Sequence, residues 1–119
     1  MTQEYIGTKQ VTAWVQSKDG AEGYAVKYPD GYISWSPKGV FEGAYLPLGH
    51  ITHMPAHQQR VIGEFAQLTD KLGKLSGFVG TDLFLGLSEA EQDRLLRQAA
   101  AMRDYAAVLA ERVASFGGA

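Results

Sequence analysis

The chain has 119 residues, a formal net charge of −2, 45% hydrophobic and 20% charged side chains, and no cysteine. This length suits a single domain with a thin core, and the apolar-to-charged balance is that of a globular chain. The lack of a basic excess argues against a binder of DNA or RNA polymers or of anionic membranes, and the missing thiols exclude disulfides, zinc–thiolate sites and cysteine nucleophiles.

No apolar run approaches the ~18 residues of a membrane span. The polar start Met1-Thr2-Gln3-Glu4 lacks a signal-peptide core, so the expected location is the cytoplasm. The segment Thr8 to Val15 alternates as a strand, with Val11 and Ala13 on one face and Thr12 and Trp14 on the other. Lys18-Asp19-Gly20 reads as a polar turn into two further strands, Gly23 to Tyr28 and Tyr32 to Ser36. Between those strands Pro29-Asp30-Gly31 is a hairpin turn signal, since proline presets φ and glycine takes a positive φ. The aromatic residues Trp14, Tyr24, Tyr28, Tyr32 and Trp35 read first as core and cross-strand pairs, and alternatively as a stacking platform. Ser36-Pro37 then resembles an N-cap and first helical residue, opening a short helix through Val40, Phe41 and Tyr45.

Composition changes near residue 46, and residues 47–55 read as a linker. Beyond it, apolar side chains recur at Val61, Phe65, Leu68, Leu72, Leu75 and Val79. They recur again at Leu95, Ala99, Met102, Ala106, Leu109, Val113 and Phe116. Alternating steps of three and four make each series one stripe of a helix. Ser88 with Glu91 forms a capping-box pattern, and Gly117-Gly118 is a helix stop. The connector, roughly 77–87, contains Gly80 and Gly86, so the helices fold back on one another. The expected fold is therefore α+β: a small N-terminal antiparallel β-sheet with a short helix (1–46), then a C-terminal antiparallel two-helix hairpin (56–119), as one domain.

Few residues invite catalysis. No nucleophile elbow, zinc-protease helix, phosphate loop or dinucleotide glycine motif is present. His50, His53 and His57 straddle a proline-containing linker without the further ligands of a metal site. Glu89, Glu91 and Asp93 fit the helix dipole better than acid–base work. The expectation is a non-enzymatic binder with no cofactor or metal. Flanking the stripes, one row reads His57, Glu64, Lys71, Phe78 and its counterpart Glu91, Gln98, Tyr105, Arg112. In an antiparallel hairpin these rows share a side of the seam, bringing Lys71 toward Gln98 and Glu64 toward Tyr105. The opposite side carries Ile62, Thr69 and Ser76 against Leu96, Arg103 and Ala110. A mixed cationic and aromatic row suits a ligand with phosphates and a base, although composition alone is better met by residues that simply line a helical seam.

Specific residues carry a family resemblance. Tyr5-Ile6-Gly7-Thr8-Lys9, Gly23-Tyr24, Tyr28-Pro29-Asp30-Gly31-Tyr32, Ser34-Trp35-Ser36-Pro37-Lys38, Phe41-Glu42 and Ala44-Tyr45 resemble a module of small phage and prophage proteins. His57-Gln58-Gln59-Arg60-Val61, Lys71-Leu72, Glu91-Gln92, Met102-Arg103, Tyr105, Leu109 and Arg112 resemble the helical hairpin of phage anti-Thoeris and anti-CBASS sponges. Together the halves are similar to the first-described Thoeris anti-defence family. Gly39 and Gly43 in the short helix, and Gly63 and Gly73 in the first long one, stand where better helix formers are expected. The resemblance implies a homo-oligomer in the bacterial host cytoplasm that captures a cyclic nucleotide immune signal, glycocyclic ADP-ribose or a cyclic di- or trinucleotide. It implies Arg60, Lys71, Arg103 and Arg112 as phosphate ligands, and Phe78 and Tyr105 as base-stacking residues. The alternative is a non-catalytic protein–protein interaction module of a phage or prophage.

Overall fold

The structure, a computed structural model, describes residues 1–117. Its elements are β1 (Thr12–Val15), β2 (Gly23–Lys27), β3 (Ile33–Pro37), α1 (Lys38–Ala44), α2 (Ala56–Val79), α3 (Asp82–Leu85) and α4 (Glu89–Phe116). The class is α+β. The chain divides into two compact units, Met1–Tyr45 and a second beginning at Leu46.

In the first unit the strands pair in the order β1-β2-β3, antiparallel throughout. Gly31, at φ 93°, turns the chain between β2 and β3 and donates its N–H to the Tyr28 carbonyl at 2.9 Å. The Asp30 carboxylate accepts the Tyr32 N–H at 3.0 Å and locks the same turn. Pairing register places Trp14, Ala25 and Trp35 in one row across the sheet, with Thr12, Lys27 and Ile33 in the next row of that face. Trp35 lies over Gly23, where a β-carbon would collide with the indole, and its Nε1–H donates to the Gln16 carbonyl at 2.7 Å. The other face is covered by α1. Phe41 stacks on Tyr24 at 4.4 Å, Tyr45 stacks on Phe41 at 4.9 Å, and the Tyr24 hydroxyl donates to the Glu42 carboxylate at 2.6 Å. Ala25 and Val26 are the buried centre of this unit.

Boundaries differ from the sequence reading at each element of this unit: β2 ends at Lys27 rather than Tyr28, and β3 runs from Ile33 to Pro37 rather than from Tyr32 to Ser36. β1 begins at Thr12 rather than Thr8, because Thr12 already pairs with Lys27, the end of β2. Past it the chain turns through Tyr28 to Gly31, leaving residues 8–11 no strand to join. Helix α1 takes Pro37, not Ser36, as its N-cap, and no side chain caps it. Ser36 is still paired with Tyr24 inside β3.

In the second unit the two apolar stripes face each other. Val61, Ala99 and Leu109 are buried, while the remaining stripe residues are half-buried, since two helices cover each other from one side only. Helix α2 runs unbroken through Gly63 and Gly73. Ser88 caps α4 by accepting the Glu91 N–H at 3.2 Å. The reciprocal half of the capping box does not form, because the Glu91 carboxylate pairs with Arg94 at 2.8 Å instead. Gly117 is the C-cap of α4, and Gly118 lies outside the described residues.

The connector and linker hold more structure than expected. Thr81 accepts the Phe84 N–H at 3.3 Å and opens α3, which places Phe84 in the core, edge-on to Phe78 at 6.2 Å. In the segment 46–55, Ile51 is buried and Leu48 and Met54 are half-buried. Gln59 on α2 donates its side-chain amide to the Met54 carbonyl at 2.8 Å and ties this segment to the helix.

Candidate ligand-binding site

The cations of the long helices fall into two classes. Lys74 pairs with Asp70 at 3.0 Å, Arg94 with Glu91 at 2.8 Å, and Arg97 with Asp93 at 2.8 Å. Each pair joins residues three or four apart, which are neighbours on one helix surface. Arg60, Lys71, Arg103 and Arg112 are exposed and form no ion pair among the described residues. Their charges are available to an external anion.

Helix geometry distributes these residues around the seam. At about 100° per residue, the core row of α4 leaves Gln98, Tyr105 and Arg112 on one flank and Leu96, Arg103 and Ala110 on the other. The same rotation places Arg60, Lys71 and Phe78 on one flank of α2, with Ile62 and Thr69 opposite. In an antiparallel hairpin the first flank of each helix borders the same side. Arg60, Lys71, Phe78, Tyr105 and Arg112 therefore share a side, with Glu64 among them, and Arg103 lies across the seam.

The aromatic members differ in freedom. Tyr105 is 44% exposed and, with Val108 at 52%, presents an open ring and apolar surface beside Arg112. Phe78 is half-buried, and its contact with Phe84 engages it in the closed end of the hairpin. Its capacity to stack on a ligand is correspondingly narrower. That contact was hidden in the sequence because α3 is only four residues long, too short to show a helical period, although Thr81-Asp82 carries the pattern of an N-cap with an acid behind it. Leu83 and Leu85, 75% and 68% exposed, also project from this end.

In the first unit an open groove of about 300 Å³ is lined by Val15, Ser17, Glu22, Gly23, Tyr24, Lys38 and Glu42. Its charges are already matched, Lys38 lying 3.6 Å from Glu22 and Tyr24 bonded to Glu42. The bond to Glu42 is the main cause that raises the Tyr24 hydroxyl above its ordinary pKa, with desolvation and the carboxylate charge adding to it. Among the described residues no three His, Asp or Glu side chains stand together as a metal site, and no helix is long and apolar enough to cross a membrane.

Comparison with known proteins bears on the second unit. The chain is 43% identical over 63 residues to an uncharacterized 7.5 kDa protein encoded in the denB–rIIB intergenic region of enterobacteria phage T4. The match takes in 98% of that relative and 53% of this chain, so the relative is too short to contain both units. No solved structure matches significantly. The Sequestin family model matches residues 55–115, from the residue before α2 almost to the end of α4, and the chain belongs to the Sequestin family.

Proposed function

We propose that this chain is a phage anti-defence protein that binds and holds a cyclic nucleotide immune signal without turning it over. Glycocyclic ADP-ribose and cyclic di- or trinucleotides are the ligand class, and Thoeris or CBASS effectors are the receptors deprived of it. The observation that carries the reading is the division of cations on the hairpin. Arg60, Lys71 and Arg112 share a side and are left unpaired, whereas neighbouring Arg94 and Arg97 are neutralised within their own helix. Unpaired guanidinium groups can fork onto phosphate oxygens, and the exposed Tyr105 ring beside them can stack on a base. The family name, which speaks of sequestration, and the phage relative agree with this role. Nanomolar capture requires about −12 kcal/mol, within reach of a few charge-assisted bonds and one or two stacked bases in a preorganised site.

Such a site needs walls. A two-helix hairpin leaves most of its stripe half-buried, and association of copies would cover both the stripe and the ligand. The working form is accordingly a homo-oligomer in the host cytoplasm, and light scattering at micromolar concentration should give at least a dimer. Binding itself is tested by incubating the protein with each cyclic nucleotide, removing free ligand, heat-denaturing, and analysing what is released. Intact nucleotide supports sequestration. Altered nucleotide would make the protein an enzyme, and no retained nucleotide would leave an interaction module, for which Leu83 and Leu85 offer an apolar contact.

A further inference from the structure

The first unit has a surface that the hairpin reading does not use. On the sheet face formed by the row Trp14–Ala25–Trp35 and the row Thr12–Lys27–Ile33, Trp14 is 43% and Ile33 52% exposed. Trp35 is fixed by its bond to Gln16, while the Trp14 indole N–H has no partner among the described residues. Lys18 stands 5.7 Å from the centre of the Trp35 ring, and Lys27 is the diagonal neighbour of Trp14, within reach of a long side chain. Neither lysine pairs with a carboxylate among the described residues. Of the nearby acids, Glu22 is occupied by Lys38 and Asp30 by the Tyr32 N–H, while Asp19, next to Lys18 in the turn, pairs with no cation among the described residues.

We infer that this sheet face binds single-stranded nucleic acid, with bases stacking on Trp14 and Trp35 and phosphates meeting Lys18 and Lys27. Charge complementarity selects the occupant: aromatic rings beside lysines that no carboxylate holds match a strand of bases and phosphates. A strand can add several weak stacking contacts along a sheet face. The whole-chain charge of −2, from which no polymer binding was expected, is shared by this unit, whose four lysines stand against five acids, so the attraction rests on the two lysines beside the tryptophans and not on a basic unit.

Both tryptophans of the chain lie on this face, so tryptophan fluorescence, excited selectively over tyrosine, reports on it alone. Titration of the full chain with an oligothymidylate of about a dozen nucleotides should quench that fluorescence, and anisotropy of the labelled strand should give the affinity. With about two phosphates neutralised, raising salt from about 50 to 200 mM should weaken binding roughly seven-fold. Trp14→Ala should weaken it about ten-fold, Trp14→Phe should recover part of the loss, and Lys27→Ala should flatten the salt dependence. Circular dichroism confirms that each variant is folded. Absence of binding, undiminished affinity in folded Trp14→Ala, or quenching by a proline-rich peptide and not by the oligonucleotide would overturn the inference.

Discussion

The two units hold themselves together in opposite ways. The hairpin distributes its stability along a repeating stripe, in which any one residue is a member of a series and neighbours share the burial. The sheet unit depends on a few unrepeated contacts: Trp35 over Gly23 and bonded to Gln16, and the Tyr24–Phe41–Tyr45 stack anchored at Glu42. A periodic unit tolerates irregularities such as Gly63 and Gly73, whereas the sheet unit should fail at single points.

The largest loss expected in the hairpin is at Leu109, 1% exposed and mid-stripe, where truncation to alanine should cost about 3–4 kcal/mol in chemical denaturation. Leu72→Ala should cost less, because its side chain is only half-buried. In the sheet unit, Gly23→Ala should cost at least about 2–3 kcal/mol, since the new methyl group meets the Trp35 ring and the Ser36 carbonyl, and that carbonyl belongs to a paired strand. The contrast is sharpened by spectroscopy. Gly23→Ala should abolish the near-ultraviolet tryptophan signal while leaving most of the helical far-ultraviolet signal. Loss of both signals together would mean that the units do not differ as described.

Smaller effects probe the segment before α2. Ile51→Ala should cost about 2 kcal/mol and Leu48→Ala about 1 kcal/mol, in the order of their burial. Equal and negligible costs would restore a bare linker. The smallest effect is on pH dependence. The bond to Glu42 raises the Tyr24 pKa in the folded state, so its contribution is fully present below the ordinary tyrosine value of about 10 and is lost as pH rises through the raised one. An ultraviolet titration should show one tyrosine ionising late, and Glu42→Gln should shift it earlier.

The same contrast explains what could be read from the sequence. Periods of three and four are visible without knowing the partner, which is why all the stripe residues were identifiable and all prove buried or half-buried. Turns announced by Pro29-Asp30-Gly31 were equally legible, because φ is a local property. Strand ends were not, since β1 begins where β2 stops, a fact of pairing rather than of Thr8 or Lys9. Helix α3, the burial of Ile51 and the Phe78–Phe84 contact depend on chain segments that meet only after folding. Within the candidate site the residue types and flanks followed from helical geometry. Which cations are free was legible in part: Arg94 has Glu91 three residues before it, whereas no carboxylate stands three or four residues from Arg112, but Arg60 is unpaired despite Glu64 four residues on.

That last distinction permits the most direct test of the central claim. Arg112 is exposed and unpaired, so Arg112→Ala should change stability by no more than about 0.5 kcal/mol. As a phosphate ligand its loss should weaken cyclic-nucleotide binding by about 1.5–3 kcal/mol, roughly ten- to a hundredfold. Arg94, paired with Glu91, serves as the control, and Arg94→Ala should bind as the parent does. Calorimetric titration of the two variants beside the parent, with melting temperatures recorded on the same samples, separates lost contact from lost fold. Of the two variants, only Arg112→Ala should bind more weakly while remaining fully folded; parental affinity in that variant, or an equal loss in Arg94→Ala, would rule out Arg112 as a phosphate ligand.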